Sequence, residues 1–206
     1  IDLLGYMGWR IRVDMTSIHI ENPEVEPVPR HVEEILSWVF RRQDEHFNTL
    51  PTSLVIRGLG QYDELIPWLS SNLRVTNLTS GARVSEQWNI ISLLSRPVAP
   101  MSNEWALSDL EIIDLCVFEE AAKSEILKMV EARHSFIRTV EDQGRGNVTL
   151  KQFKDIRLHE GRINGSESEA ADAEFLGALD KIGRGAEIWW EGVKWAGART
   201  EAELVV

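Results

Sequence analysis

Residues 110–153 constrain the fold of this 206-residue chain more than any other stretch. An apolar run from Leu110 to Phe118 carries one carboxylate, Asp114, in its middle. A helix is expected from Glu119 to about Glu141, with Ala122, Ile126, Met129 or Val130, Ile137 and Val140 on one face. A glycine break at Gly144 and Gly146 follows, then a strand-like run from Asn147 to Phe153 that holds Lys151. Strand, long helix and strand make one crossover, which in a parallel sheet lays the two strands side by side. Asp114 and Lys151 are therefore expected close together at the carboxyl edge of the sheet, where open α/β sheets place their sites.

The rest of the chain repeats the alternation. Trp9 to Met15 alternates apolar and polar residues as a half-buried strand does, and Ser17 to Ile20 extends it. Asn22 to Pro29 reads as a connector, and Pro29 suits the first turn of a helix reaching about Phe47. Leu54 to Ile56 is a β-branched run that ends in Gly58 and Gly60; a short helix from Asp63 to Ser70 and a strand from Leu73 to Asn77 follow. This unit has the pattern of a nucleotide-binding crossover, with backbone room at the glycines and Asn77 closing the second strand; a Gly-x-Gly alone is a weak signal, and a tight turn without a ligand is the favoured reading of it. Gln87 to Leu94 reads as a third strand. A helix capped by Ser166 or Ser168 runs to Ile182 and ends at Gly183. Ala186 to Trp190 and Glu203 to Val206 close the chain as an antiparallel pair.

The expected fold class is α/β, a Rossmann-like three-layer sandwich whose mostly parallel sheet ends in an antiparallel C-terminal hairpin. Residues 1–28 are expected to form an N-terminal extension with one strand, and residues 29–206 the main domain. Ile1 at the start and Val206 at the end suit a domain cut from a larger polypeptide.

Composition removes several functions. No apolar run approaches the roughly 20 residues of a membrane span, and the N-terminus has no signal-peptide pattern. The single cysteine, Cys116, excludes an internal disulfide and suits a reducing, cytoplasmic compartment. The five histidines have no ligand spacing, so no metal is expected. The net charge of −11 argues against a general nucleic-acid binder. Between Arg133 and Arg162, however, seven Lys/Arg face four Asp/Glu. That segment suits RNA contact on one face, or an ordinary solvated helix end.

Asp114, Lys151 and Glu187 are three charges inside strand-like apolar runs, which is costly unless they pair. A lysine between two carboxylates is held in place and its protonation is tunable for proton abstraction; a structural ion-pair network is the alternative. Their order and spacing resemble the Rossmann-fold ribose 2′-O-methyltransferases, the FtsJ-like class that includes viral mRNA-cap methyltransferases of the flavivirus type. Asp114, Lys151 and Glu187 fall where that family carries the last three members of a Lys-Asp-Lys-Glu tetrad. Trp88 to Leu93 is similar to its third strand, and Gly58 and Gly60 occupy its cofactor turn. The resemblance implies S-adenosylmethionine as cofactor, with Asn77 near the ribose. It also implies capped RNA as partner and Lys151 as general base for methylation of a ribose 2′-OH. The family's glycine turn is longer, and its first lysine has no counterpart near Trp38, Arg41 and Arg42. A catalytically inactive relative, a structural or partner-binding domain of a larger assembly, is the other expectation.

Overall fold

A computed structural model describes residues 2–3, 10–13, 17–22, 52–58, 74–81, 90–98, 103–117, 120–142, 150–160 and 169–197. Their strands are β1 (Asp2–Leu3), β2 (Arg10–Val13), β3 (Ser17–Asn22), β4 (Thr52–Gly58), β5 (Val75–Ser80), β6 (Ile112–Val117), β7 (Asp155–Glu160), β8 (Glu187–Trp190) and β9 (Val193–Lys194). Helix α1 spans Glu120–Asp142 and α2 spans Glu169–Gly183, with a short helical segment at residues 90–94. The strands form one sheet in sequence order, β1 to β9. Pairs from β3 to β8 are parallel, and β1–β2, β2–β3 and β8–β9 are antiparallel. The fold class is thus α/β with a mostly parallel sheet and an antiparallel C-terminal hairpin, consistent with a Rossmann-like layout.

Register explains the core. Leu54, Leu78, Ile113, Ile156 and Ile188 stand level across five strands, and all are buried. A parallel β-strand alternates its side chains between two faces, so this row belongs to one face only. Ile126, Met129 and Val130 of α1 and Phe175, Leu176 and Leu179 of α2 pack into the same cluster, with Ile90, Ile91 and Leu94. The adjacent row on the other face, Val55, Thr79, Asp114, Arg157 and Trp189, is half-buried or exposed. Strands added in one direction through right-handed crossovers put their helices on one side of the sheet, and the described helices obey that rule, so among the described residues there are two layers and not the expected three.

Several boundaries differ from expectation. Residues 90–94 are helical, not part of a strand; Ile90, Ile91 and Leu94 are buried and Ser92 is exposed, which is helical periodicity. Residues 150–153 are not a strand, and β7 begins at Asp155. Leu150 and Phe153 still bury, from a loop whose Lys151 amide donates to the Ser108 carbonyl at 2.7 Å. Ser17 to Ile20 belongs to β3, which pairs antiparallel with β2 rather than extending it, so the first 22 residues supply three strands instead of one. The C-terminal hairpin closes at Glu191 and Gly192 (φ 50° and 75°), the two left-handed residues of a tight hairpin turn, and its second strand is Val193–Lys194. Glu203 to Val206 and the helices expected before Phe47 and Ser70 lie outside the described residues.

Candidate functional site at the amino edge of the sheet

The buried side of α1 carries three basic residues, Lys123, Arg133 and His134. Arg133 is 0% exposed; its Nη1 and Nη2 donate to the Ala106 and Leu107 carbonyls, each at 3.2 Å. The guanidinium lies 5.1 Å from the Phe153 ring centroid and 5.9 Å from that of Trp105. Burial pushes it down to about 9, and it remains a cation at neutral pH. Arg133 ties α1 to the 105–107 loop, where Leu107 adopts φ 50°. Its neighbour His134 donates from Nδ1 to the Ile182 carbonyl at 2.9 Å, joining α1 to the end of α2. Burial holds this imidazole below its ordinary value; the Ile182 bond opposes that, and the charges of Arg133, Arg138 and Arg184 reinforce it. In the sequence Arg133 counts only as the start of the basic segment and His134 only among histidines without ligand spacing, and neither reading places them in the core. Their signal was their place on the Ile126–Val130–Ile137 stripe.

The expected catalytic residues occupy two places. Asp114 sits mid-strand in β6 on the face away from the helices, its side chain 26% exposed, and His159 Nε2 of β7 lies 3.1 Å from its Oδ1. Cys116 follows on that face; burial first, then the Asp114 and Glu191 carboxylates, push its thiol up, the opposite of an activated nucleophile. Lys151 and Glu187 lie elsewhere, lining one groove at the amino edge. Glu187 opens β8 and is bonded by Lys194 Nζ at 2.6 Å, while Lys151 is an exposed residue of the loop before β7.

Asp114 is level with Arg157, and Glu187 with Asp155. Their Cα positions are therefore two strands across and two residues along, about 12 Å apart. Gly58 ends β4 at the opposite, carboxyl edge. Asn77 does not close its strand, which continues to Ser80; it pairs with Ser53, five residues before Gly58, or about 17 Å along the sheet. Gly60 lies outside the described residues. The expected meeting of Asp114 and Lys151 at the carboxyl edge is not observed, because the strand after α1 starts four residues beyond Lys151.

What does form is an open groove of about 640 Å³ at the amino edge, lined by Glu111, Lys151, Lys154, Asp155, Arg184 and Glu187 among others. Lys154 Nζ donates to Glu111 Oε2 at 2.7 Å, and Arg157 Nη2 to Asp155 Oδ2 at 2.7 Å. The backbone weaves the floor: Glu111 N bonds the Thr76 carbonyl, Lys154 N the Glu111 carbonyl, and Glu187 N the Lys154 carbonyl.

Among its described residues the basic segment does not present a single patch. Arg133 is buried, Lys154 and Arg157 are paired with carboxylates, Arg138 and Lys151 are exposed, and Arg145 and Arg162 lie outside the described residues. Among the described residues no group of His, Cys, Asp and Glu is placed to hold a metal, and no helix is long and apolar enough to cross a membrane.

No protein-family model matches this chain, and neither a curated protein nor a solved structure matches it.

Proposed function

We propose that this chain is a non-catalytic α/β module that serves a larger assembly by binding a partner. The observation that carries the reading is the separation of the charges that methyl transfer needs together. A general base must lie within hydrogen-bond reach of the proton it takes, and its orienting groups must be beside it. Here Asp114 is engaged with His159 on the sheet face, while Glu187 is engaged with Lys194 at the amino edge. The glycine turn at Gly58 is at the far edge from both Lys151 and Glu187. A half-exposed sheet face of mixed polar and apolar residues above a continuous core is a platform suited to recognition rather than to bond making.

A methyl-transfer assay on capped RNA with labelled S-adenosylmethionine tests the reading. The expected result is incorporation at background, unchanged in Lys151→Ala. Incorporation above background that disappears in Lys151→Ala would restore the ribose 2′-O-methyltransferase reading, with Lys151 as base.

A further inference from the structure

We propose that the amino-edge groove is a binding site for a compact phosphate monoester, held by Lys151 and Arg184. This inference concerns a different ligand from the partner proposed above and does not depend on it.

The charges lining the groove are unequally compensated. Each of its three carboxylates has a cation against it: Glu111 has Lys154 at 2.7 Å, Asp155 has Arg157 at 2.7 Å, and Glu187 has Lys194 at 2.6 Å. Two of those cations, Arg157 and Lys194, lie beyond the lining itself and neutralise it from outside. Among the described residues, Lys151 and Arg184 make no such pair, and both are exposed. The groove therefore carries two uncompensated positive charges.

Two effects oppose an anion there. The C-terminus of α2 ends at Gly183, and a helix C-terminus carries roughly half a negative charge. That half charge is partly met already, since His134 donates to the Ile182 carbonyl. The chain as a whole carries −11, but exposed charges farther than the Debye length, about 8 Å at physiological salt, are largely screened. Two full cations outweigh the remaining half charge at close range. The overall charge does decide the size of the ligand: a long polyanion would extend past the groove onto acidic surface, whereas one dianionic group stays within it.

Geometry agrees with a small ligand. The volume of about 640 Å³ is in the range of small-molecule sites, roughly 300–1,000 Å³. Arg184 at φ 40° and Gly185 at φ 99° turn the chain sharply out of α2 beside the groove, which fixes where the guanidinium begins. A planar guanidinium and an ammonium together suit the several acceptor oxygens of a phosphate.

The test is calorimetric titration of the full chain with inorganic phosphate, and separately with a phosphoserine-containing peptide and its unphosphorylated form. Wild type is expected to bind phosphate with a dissociation constant on the order of millimolar, and the phosphopeptide at least as well. Lys151→Gln combined with Arg184→Asn, which suits the left-handed backbone, is expected to weaken both by about tenfold or more. Lys128→Gln on the exposed face of α1 removes one positive charge away from the groove and is expected to leave affinity within about twofold. Tighter binding of the phosphopeptide than of phosphate would assign the site to a modified polypeptide, and equal affinity to a free small anion. No saturable phosphate binding by wild type, or equal weakening by Lys128→Gln, would overturn the proposal.

Discussion

Replacing Arg133 with alanine is expected to lower the unfolding free energy by about 3–4 kcal/mol, measured by urea denaturation at neutral pH. The guanidinium fills the space between Trp105 and Phe153 and satisfies two main-chain carbonyls, those of Ala106 and Leu107. Alanine leaves the Ala106 carbonyl without this donor, at about 1–3 kcal/mol, takes one of two donors from the Leu107 carbonyl, which keeps the Leu110 amide at 3.0 Å, and opens a cavity beneath two rings. One effect runs the other way. A charge at zero exposure is costly to desolvate, as its lowered pKa records, and its removal relieves that cost. Arg133→Met separates the contributions, because methionine refills most of the volume, also relieves the charge, and still restores neither guanidinium hydrogen bond. It should recover about half of the alanine loss. A loss below about 1 kcal/mol for Arg133→Ala would show that the 105–107 loop does not depend on Arg133.

The second large effect is expected at the ion pair between the two long helices. Lys123 Nζ lies 3.0 Å from Asp172 Oδ1, with side-chain exposures of 4% and 13%. Both residues are in the first turn of their helices, α1 and α2. A helix N-terminus favours a carboxylate and disfavours an ammonium, so the two partners are not equivalent. Asp172→Ala removes the Asp172 carboxylate from the buried ammonium of Lys123 at an unfavourable helix end, and should cost about 2–3 kcal/mol. Lys123→Met leaves Asp172 at a favourable helix end and nearer to water, and should cost about 1 kcal/mol. The double substitution Lys123→Met with Asp172→Leu should be more stable than Asp172→Ala, since buried ion pairs are often replaced by apolar side chains without loss. Equal costs for the two single variants would contradict this account of the α1–α2 contact.

Much of the fold was legible in the sequence because two periodicities differ so clearly. The run around Ile113 and Leu115 is bounded and apolar, and it is β6. The long stripe from Ala122 to Ile137 is α1, and the stripe through Phe175 and Leu179 is α2. The errors have physical causes. Ile90, Ile91 and Leu94 are apolar enough for a strand and spaced well enough for a helix, and five residues are too few to decide. Leu150 and Phe153 suit a strand by their apolar character, while β7 alternates Ile156 and Leu158 with Asp155, Arg157 and His159 and so looks like a charged loop. That displacement of β7 moved Lys151 from the sheet to its edge.

The candidate site followed from the same error. Asp114 was noticed because a carboxylate in an apolar run is conspicuous, but its partner His159 stands on the strand that was misplaced. The groove joins Glu111, Lys151 and Glu187, which are far apart in sequence and become neighbours only through the parallel register of β6, β7 and β8. No local spacing carries that information.

The separation of Asp114 from Lys151 and Glu187 is most directly tested by calorimetric titration of the folded chain with S-adenosylmethionine. A chain with Gly58 at the carboxyl edge of the sheet and Lys151 and Glu187 at the amino edge should give no saturable heat up to millimolar ligand. Stoichiometric binding, weakened by a substitution at Gly58, would contradict the account and return the chain to the methyltransferases.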